Sequence, residues 1–162
     1  MTHDSTFHDL KGASVFITGG GSGIGAALTE GFVAQGAKVT FVQRSNADSL
    51  VASLSEKYAN PPVFLPCDIS DIAQLKSALQ TAAERHGPIS ILINNAANDT
   101  RHSLENYSLE QFDQNIAVNL RPHFFSAQSV LSGMRAIGGG AIINFSSISY
   151  LMGNAGYPVY AA

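Results

Sequence analysis

The sequence predicts an α/β domain in which a doubly wound parallel sheet carries helices on both faces. Three observations lead there. Short apolar runs alternate with longer amphipathic segments along the whole chain. The runs are rich in Val, Ile and Phe and lack strict polar alternation, which is the pattern of strands buried on both sides. A glycine-rich turn joins the first run to the first amphipathic segment. Strands linked through helices in this way lie parallel, with right-handed crossovers.

Residues 1–9 read as a polar tail and residues 10–162 as one domain. The first strand is 14–18 (SVFIT) and the first helix 23–35, with Leu28, Phe32 and Val33 on one face and Gly36 as its stop signal. Residues 38–42 form the second strand, 47–58 the second helix and 63–65 a short third strand. The third helix, 72–86, has Asp71 placed to accept from the free N–H groups of its first turn and Gly87 to end it. Residues 89–94 form the fourth strand. A long helical segment covers 109–137, and Pro122 either kinks it or marks a break, because proline lacks the N–H and clashes with the preceding turn. Residues 141–145 form the fifth strand.

Of the 162 residues 45% are hydrophobic and 13% charged, a composition that builds a packed core. A net charge of -3 offers no basic face for nucleic acid. No stretch approaches the roughly 20 apolar residues of a membrane span, and the start of the chain has no apolar signal core. Cys67 is the single cysteine, so no internal disulfide forms and a reducing cytoplasm is the expected setting. No metal site is expected.

The turn reads Thr18-Gly19-Gly20-Gly21-Ser22-Gly23-Ile24-Gly25. It follows a strand and opens a helix, the context in which such a run binds phosphate. Glycines let the backbone approach a pyrophosphate, and the free amides and dipole of the helix start hold its charge. Thr18, Gly19, Ser22, Gly23, Ile24 and Gly25 are therefore the candidate cofactor contacts. Past the second strand, dinucleotide-binding folds place the residue that reads the adenosine ribose. Here the chain has Val42-Gln43-Arg44-Ser45, with no carboxylate. Arg44 can pair with a 2′-phosphate, with Ser45 as a further donor, which leans toward NADP. The alternative is NAD, with Arg44 solvated and the Gln43 amide accepting from the ribose.

Further motifs follow in order. Cys67-Asp68-Ile69 comes after the third strand, Asn94-Asn95-Ala96-Ala97 ends the fourth, Val118-Asn119-Leu120 lies in the long helix, and Ser147 and Tyr160 stand thirteen positions apart. Together these resemble the motifs of the classical short-chain dehydrogenases/reductases, and the resemblance runs from about Leu10 to Ala162. It implies a Rossmann-type fold and an oxidoreductase that uses NADP or NAD. Asp68, with Ile69 beside it, resembles the carboxylate that contacts the adenine. Asn95, Ala96 and Ala97 resemble the family's NNAG, with alanine in place of glycine. Tyr160 resembles the general base, Ser147 the residue that polarises the substrate oxygen, and Asn119 the asparagine that supports a proton-relay water. Tyr150 and Tyr157 compete for the tyrosine role, but Tyr157 lies ten positions from Ser147.

The residue types suit the chemistry. A tyrosinate serves as base when positive charge lowers its pKa from about 10, and a serine hydroxyl stabilises charge on the substrate oxygen. In the family that charge comes from the oxidised nicotinamide and from a lysine four residues past the tyrosine, a position beyond Ala162. The domain is thus expected to be C-terminally truncated. Alone it should be a weak or inactive catalyst, or a non-catalytic dinucleotide-binding fragment. A longer chain is expected to form homo-oligomers.

Asn95 to His102 and Asn144 to Ser149 resemble strings in the family's sugar dehydrogenases, which oxidise aldoses at C1 to lactones. By that resemblance Asn98, Asp99, Arg101 and His102 contact sugar hydroxyls. By the alternative they cap the next helix and decorate a loop.

Overall fold

In the computed structural model, which describes residues 5–153 and 155–162, five parallel strands form one sheet in the order β3-β2-β1-β4-β5. The strands are β1 (Ser14–Thr18), β2 (Lys38–Gln43), β3 (Val63–Pro66), β4 (Ile91–Asn94) and β5 (Ala141–Asn144). Their carboxyl ends are in register: Thr18 lies opposite Val42 and Asn94, and Asn94 opposite Asn144.

Alternation along β1 explains why its sequence is apolar throughout. Phe16 faces one core with Leu92, Leu75, Leu79, Val130 and Met134, while Val15 and Ile17 face the other with Val33, Val39, Phe41 and Ile93. The first core lies under α3 (Ile72–His86) and α5 (Arg121–Ala136), the second under α1 (Gly23–Ala34) and α2 (Asp48–Lys57). The doubly wound α/β arrangement is as the sequence predicts.

Helix ends follow their local chemistry. The Asp71 carboxylate accepts from the amides of Ala73 and Gln74, and Gly87 ends α3 at φ 84°. The predicted 109–137 helix is corrected: it is two helices, α4 (Leu109–Asn119) and α5, separated at Leu120, whose φ of -124° leaves the helical range. Pro122 accordingly lies in the first turn of α5, where its missing N–H has no partner to lose. Ser108 and Gln111 form a reciprocal capping box at the start of α4. A 3-10 turn (His8–Leu10) and the single-turn helices α6 (Ser149–Met152) and α7 (Pro158–Ala161) have no counterpart in the predicted elements.

The first four residues of the predicted tail lie outside the described residues. Nearer the domain, the Phe7 amide donates to Gln35 Oε1 at 2.9 Å and Gln35 Nε2 donates to the Ser5 carbonyl at 3.1 Å. Among the described residues no helix is long and apolar enough to cross a membrane, and no three His, Cys, Asp or Glu residues are grouped to hold a metal ion.

Candidate active site

The strand order reverses between β1 and β4, and the carboxyl ends of strands at such a reversal are where open α/β sheets bind ligands. Thr18 and Asn95 join the ends of these two strands. The buried Thr18 hydroxyl accepts from the amides of Asn95 (3.0 Å) and Ala96 (3.1 Å), and Asn95 Nδ2 donates to the carbonyls of Thr18 (3.1 Å) and Gly19 (3.2 Å). Asn95 therefore braces the glycine turn from β4. The turn is held on its other flank by the Gly19 amide, which donates to Val42 O at 2.7 Å, and by the Thr29 hydroxyl, which donates to Gly20 O at 2.8 Å.

The glycines have separate reasons. Gly19 adopts φ +68°, which L side chains disfavour. Gly25 is required by close approach, since a Cβ there would overlap the Gly19 carbonyl. Added side chains at Gly20 and Gly21 would likewise collide with Phe41 and Gln43. Ser22, the N-cap of α1, makes no side-chain capping bond. The first amides of the helix are thus left without a side-chain cap, next to glycines where a side chain would collide, which fits a dinucleotide pyrophosphate. Ser22, Gly23 and Ile24 lie exposed at this edge.

At the end of β2, Arg44 is exposed and Ser45 is tied to Gln43, whose Nε2 donates to Ser45 O (3.0 Å) and Oγ (3.2 Å). A carbonyl only accepts, so the Gln43 amide nitrogen is committed to Ser45. Asp68 accepts at Oδ1 from the Ser70 amide (2.9 Å) and hydroxyl (2.7 Å), and Ile69 is buried behind it. The thiol of neighbouring Cys67 is pushed up to about 11 by burial, with the Asp68 and Asp71 charges adding to the effect, so it is not a nucleophile at neutral pH.

Beyond β5 the structure gathers hydroxyls. Ser147 Oγ lies 2.8 Å from Ser149 Oγ and accepts from the Ser149 amide at 3.2 Å, and Ser149 Oγ donates to the Tyr157 hydroxyl at 3.2 Å. Tyr160 meets Tyr157 edge to face, with ring centroids 5.6 Å apart. The described hydrogen bonds thus link Ser147 toward Tyr157, while Tyr160 stands beside that chain through its ring. The Arg101 guanidinium lies over the Tyr157 ring, 5.4 Å from its centroid.

Asn119 faces the loop after β4. Its Oδ1 accepts from the Asn98 amide at 2.7 Å, and its Nδ2 donates to Asn98 O and to Asn115 Oδ1, both at 2.9 Å. Buried Asn115 in turn donates to the Tyr107 hydroxyl at 3.4 Å. Ala97 and Asp99 are exposed on this loop. His102 is bonded on both ring nitrogens, Nδ1 to Thr100 O at 3.0 Å and Nε2 to the Val159 amide at 3.2 Å. Sequence reasoning did not single out Asn115 or Tyr107. The four-residue interval between Asn115 and Asn119, one helical turn, was the available signal for the first; Tyr107 carried none.

The model of the family described as short chain dehydrogenase matches residues 13–162. A probable galactose dehydrogenase of Rhizobium meliloti (strain 1021) is 42% identical over 161 residues, covering 97% of this chain and 62% of that protein. A D-xylose 1-dehydrogenase of Caulobacter vibrioides is 44% identical over 149 residues, covering 91% and 58%. Among solved structures, an NADH-dependent reductase complexed with NAD aligns with a TM-score of 0.87 at 29% identity, covering 96% of this chain and 68% of that one. A blue fluorescent protein from a metagenomic library, in complex with NADPH, aligns at 0.84 and 30% identity, covering 94% and 63%. The chain spans 62% and 58% of the two curated relatives.

Proposed function

The chain belongs to the short chain dehydrogenase family, and from that premise we propose that its site serves a nicotinamide-dependent oxidoreductase acting on the hydroxyl of a sugar or other small alcohol. The observation that carries the reading is spatial. Adjacent strands β1, β4 and β5 bring the glycine-rich start of α1, which lacks a side-chain cap, and the Ser147–Tyr160 segment to one end of the sheet.

In this reading Tyr160 Oη takes the proton of the substrate hydroxyl while Ser147 Oγ orients the same oxygen. A nicotinamide bound beside them would supply the acceptor for the hydride of the hydroxyl-bearing carbon. Asn119 holds the loop after β4 at Asn98 and supports the outward path of the proton. The names of the two curated relatives, galactose and D-xylose dehydrogenases, favour an aldose. C1 then loses one hydride and one hydroxyl proton and becomes a lactone carbonyl. Asn98, Asp99 and Arg101, on the loop after β4, are the proposed neighbours of the other sugar hydroxyls.

The proposed dinucleotide is NADP, because exposed Arg44 has no carboxylate beside it at the end of β2. A second reading, NAD, is favoured by the fixed Gln43 amide, whose Oε1 accepts no hydrogen bond among the described residues. A cytoplasmic setting and assembly with further copies of the chain belong to the same proposal.

The test is reduction of the nicotinamide by the full-length protein with galactose and xylose. Tyr160→Phe should lower kcat by about a hundredfold or more and leave the cofactor Kd unchanged. Turnover that survives Tyr160→Phe sinks the assignment.

A further inference from the structure

His102 does not have the bonding of a surface loop residue. Its backbone amide donates to the Gly156 carbonyl at 2.8 Å, and its ring receives the Val159 amide at Nε2. Those two bonds fall on either side of Tyr157, and the second falls on the residue before Tyr160. The ring is also stacked on Tyr107, with centroids 3.8 Å apart and planes 20° from parallel. Tyr107 leads through Asn115 to Asn119.

The partners determine the state of the ring. A backbone N–H only donates, so Nε2 is an acceptor. The Thr100 carbonyl only accepts, so Nδ1 carries the proton. Both ring nitrogens of His102 are therefore committed to backbone, and neither serves a sugar hydroxyl while these bonds stand. The Val159 amide belongs to the first turn of α7, where helix N–H groups have no partner of their own. His102 Nε2 supplies that partner from 57 residues away.

We propose that His102 is a positioning residue, clamping the turn that carries Tyr160 to the loop after β4 and, through Tyr107 and Asn115, to Asn119. Resting on the assignment of Tyr160 as base, it explains how two groups on the separate short elements α4 and α7 keep one geometry. Lysine or arginine at this position would offer no acceptor, and phenylalanine would keep the stack but lose the bond.

The test uses H102F and H102Q in the full-length protein, with Tyr160→Phe as reference. Glutamine retains an acceptor oxygen at the reach of Nε2; phenylalanine retains the ring. H102F should lower kcat about tenfold, as a slightly misplaced catalytic group does, with the cofactor Kd unchanged and faster hydrogen exchange at the Val159 amide. H102Q should recover most of the kcat and slow that exchange. Wild-type kcat in H102F overturns the proposal, as does equal impairment of both variants, which would assign the effect to the ring. A rise in sugar KM alone in both variants also overturns it, in favour of substrate contact. Turnover that survives Tyr160→Phe overturns the Tyr160 assignment instead, and the Val159 exchange still decides whether the clamp exists.

Discussion

Gln43 and Arg44 are neighbours with opposite chemistry for the adenosine ribose. The guanidinium of Arg44 is exposed and suits a dianionic 2′-phosphate, while the carbonyl oxygen of Gln43 suits hydroxyl donors. The two variants separate the readings by cofactor binding alone. If NADP is the partner, Arg44→Ala should weaken NADP about tenfold or more, the loss of one charge-assisted bond, and leave NAD unchanged. Gln43→Ala should then matter little for either. A fluorescence titration in which Gln43→Ala weakens NAD and Arg44→Ala has no effect would assign the chain to NAD. Arg44 and the lack of a carboxylate after β2 are visible in the sequence. The orientation of the Gln43 amide is not, because it depends on how the chain turns at Ser45 and on the fold of Gly21 over it.

Among the elements, α3 shows local control most clearly. Its N-cap carboxylate, Asp71, is held below the ordinary aspartate value of 3.8, chiefly by the hydrogen bond from the Gln74 amide. A lowered folded pKa means that this contribution to stability is complete above the unfolded pKa and fades as pH falls through the folded one. Asp71→Ala should therefore lower Tm by a few degrees near neutral pH. The gap from wild type should close as the pH falls below about 3.8. Thermal unfolding of both proteins across that range checks it, and a pH-independent gap would show that Asp71 does not act through its charge. The α4–α5 boundary was less legible. Apolar spacing runs on across it, and Pro122 alone is compatible with either a kink or a new first turn. The conformation of Leu120, outside the helical range, decides between them.

For the whole molecule, the sheet has two unlike edges. β3 ends in Pro66, which donates no ladder bond, whereas β5 carries exposed Ile143 and pairs with β4 on one side only among the described residues. Residues 1–162 expressed alone should therefore self-associate with rising concentration, and Ile143→Lys should reduce that association, as charged residues do on natural edges. Sedimentation velocity measures both; concentration-independent monomer in the unsubstituted chain would remove the edge as a cause.

The sequence by itself determined what depends on near neighbours. Apolar runs buried on both faces, helix ends at Asp71 and Gly87, and the glycine turn between strand and helix all follow from composition and spacing within a few residues. Asn119, Ser147 and Tyr160 are proposed from the order of motifs that resemble the family's. Only the tertiary structure decided what joins distant parts: Asn95 bracing Thr18 across 77 residues, Asn119 engaged with Asn98, and His102 bonded to the turn of Tyr160. Those contacts arise from strand order and from loops that meet at one end of the sheet. Hydrophobic periodicity carries no information about which loop faces which, because it records only whether a residue is buried.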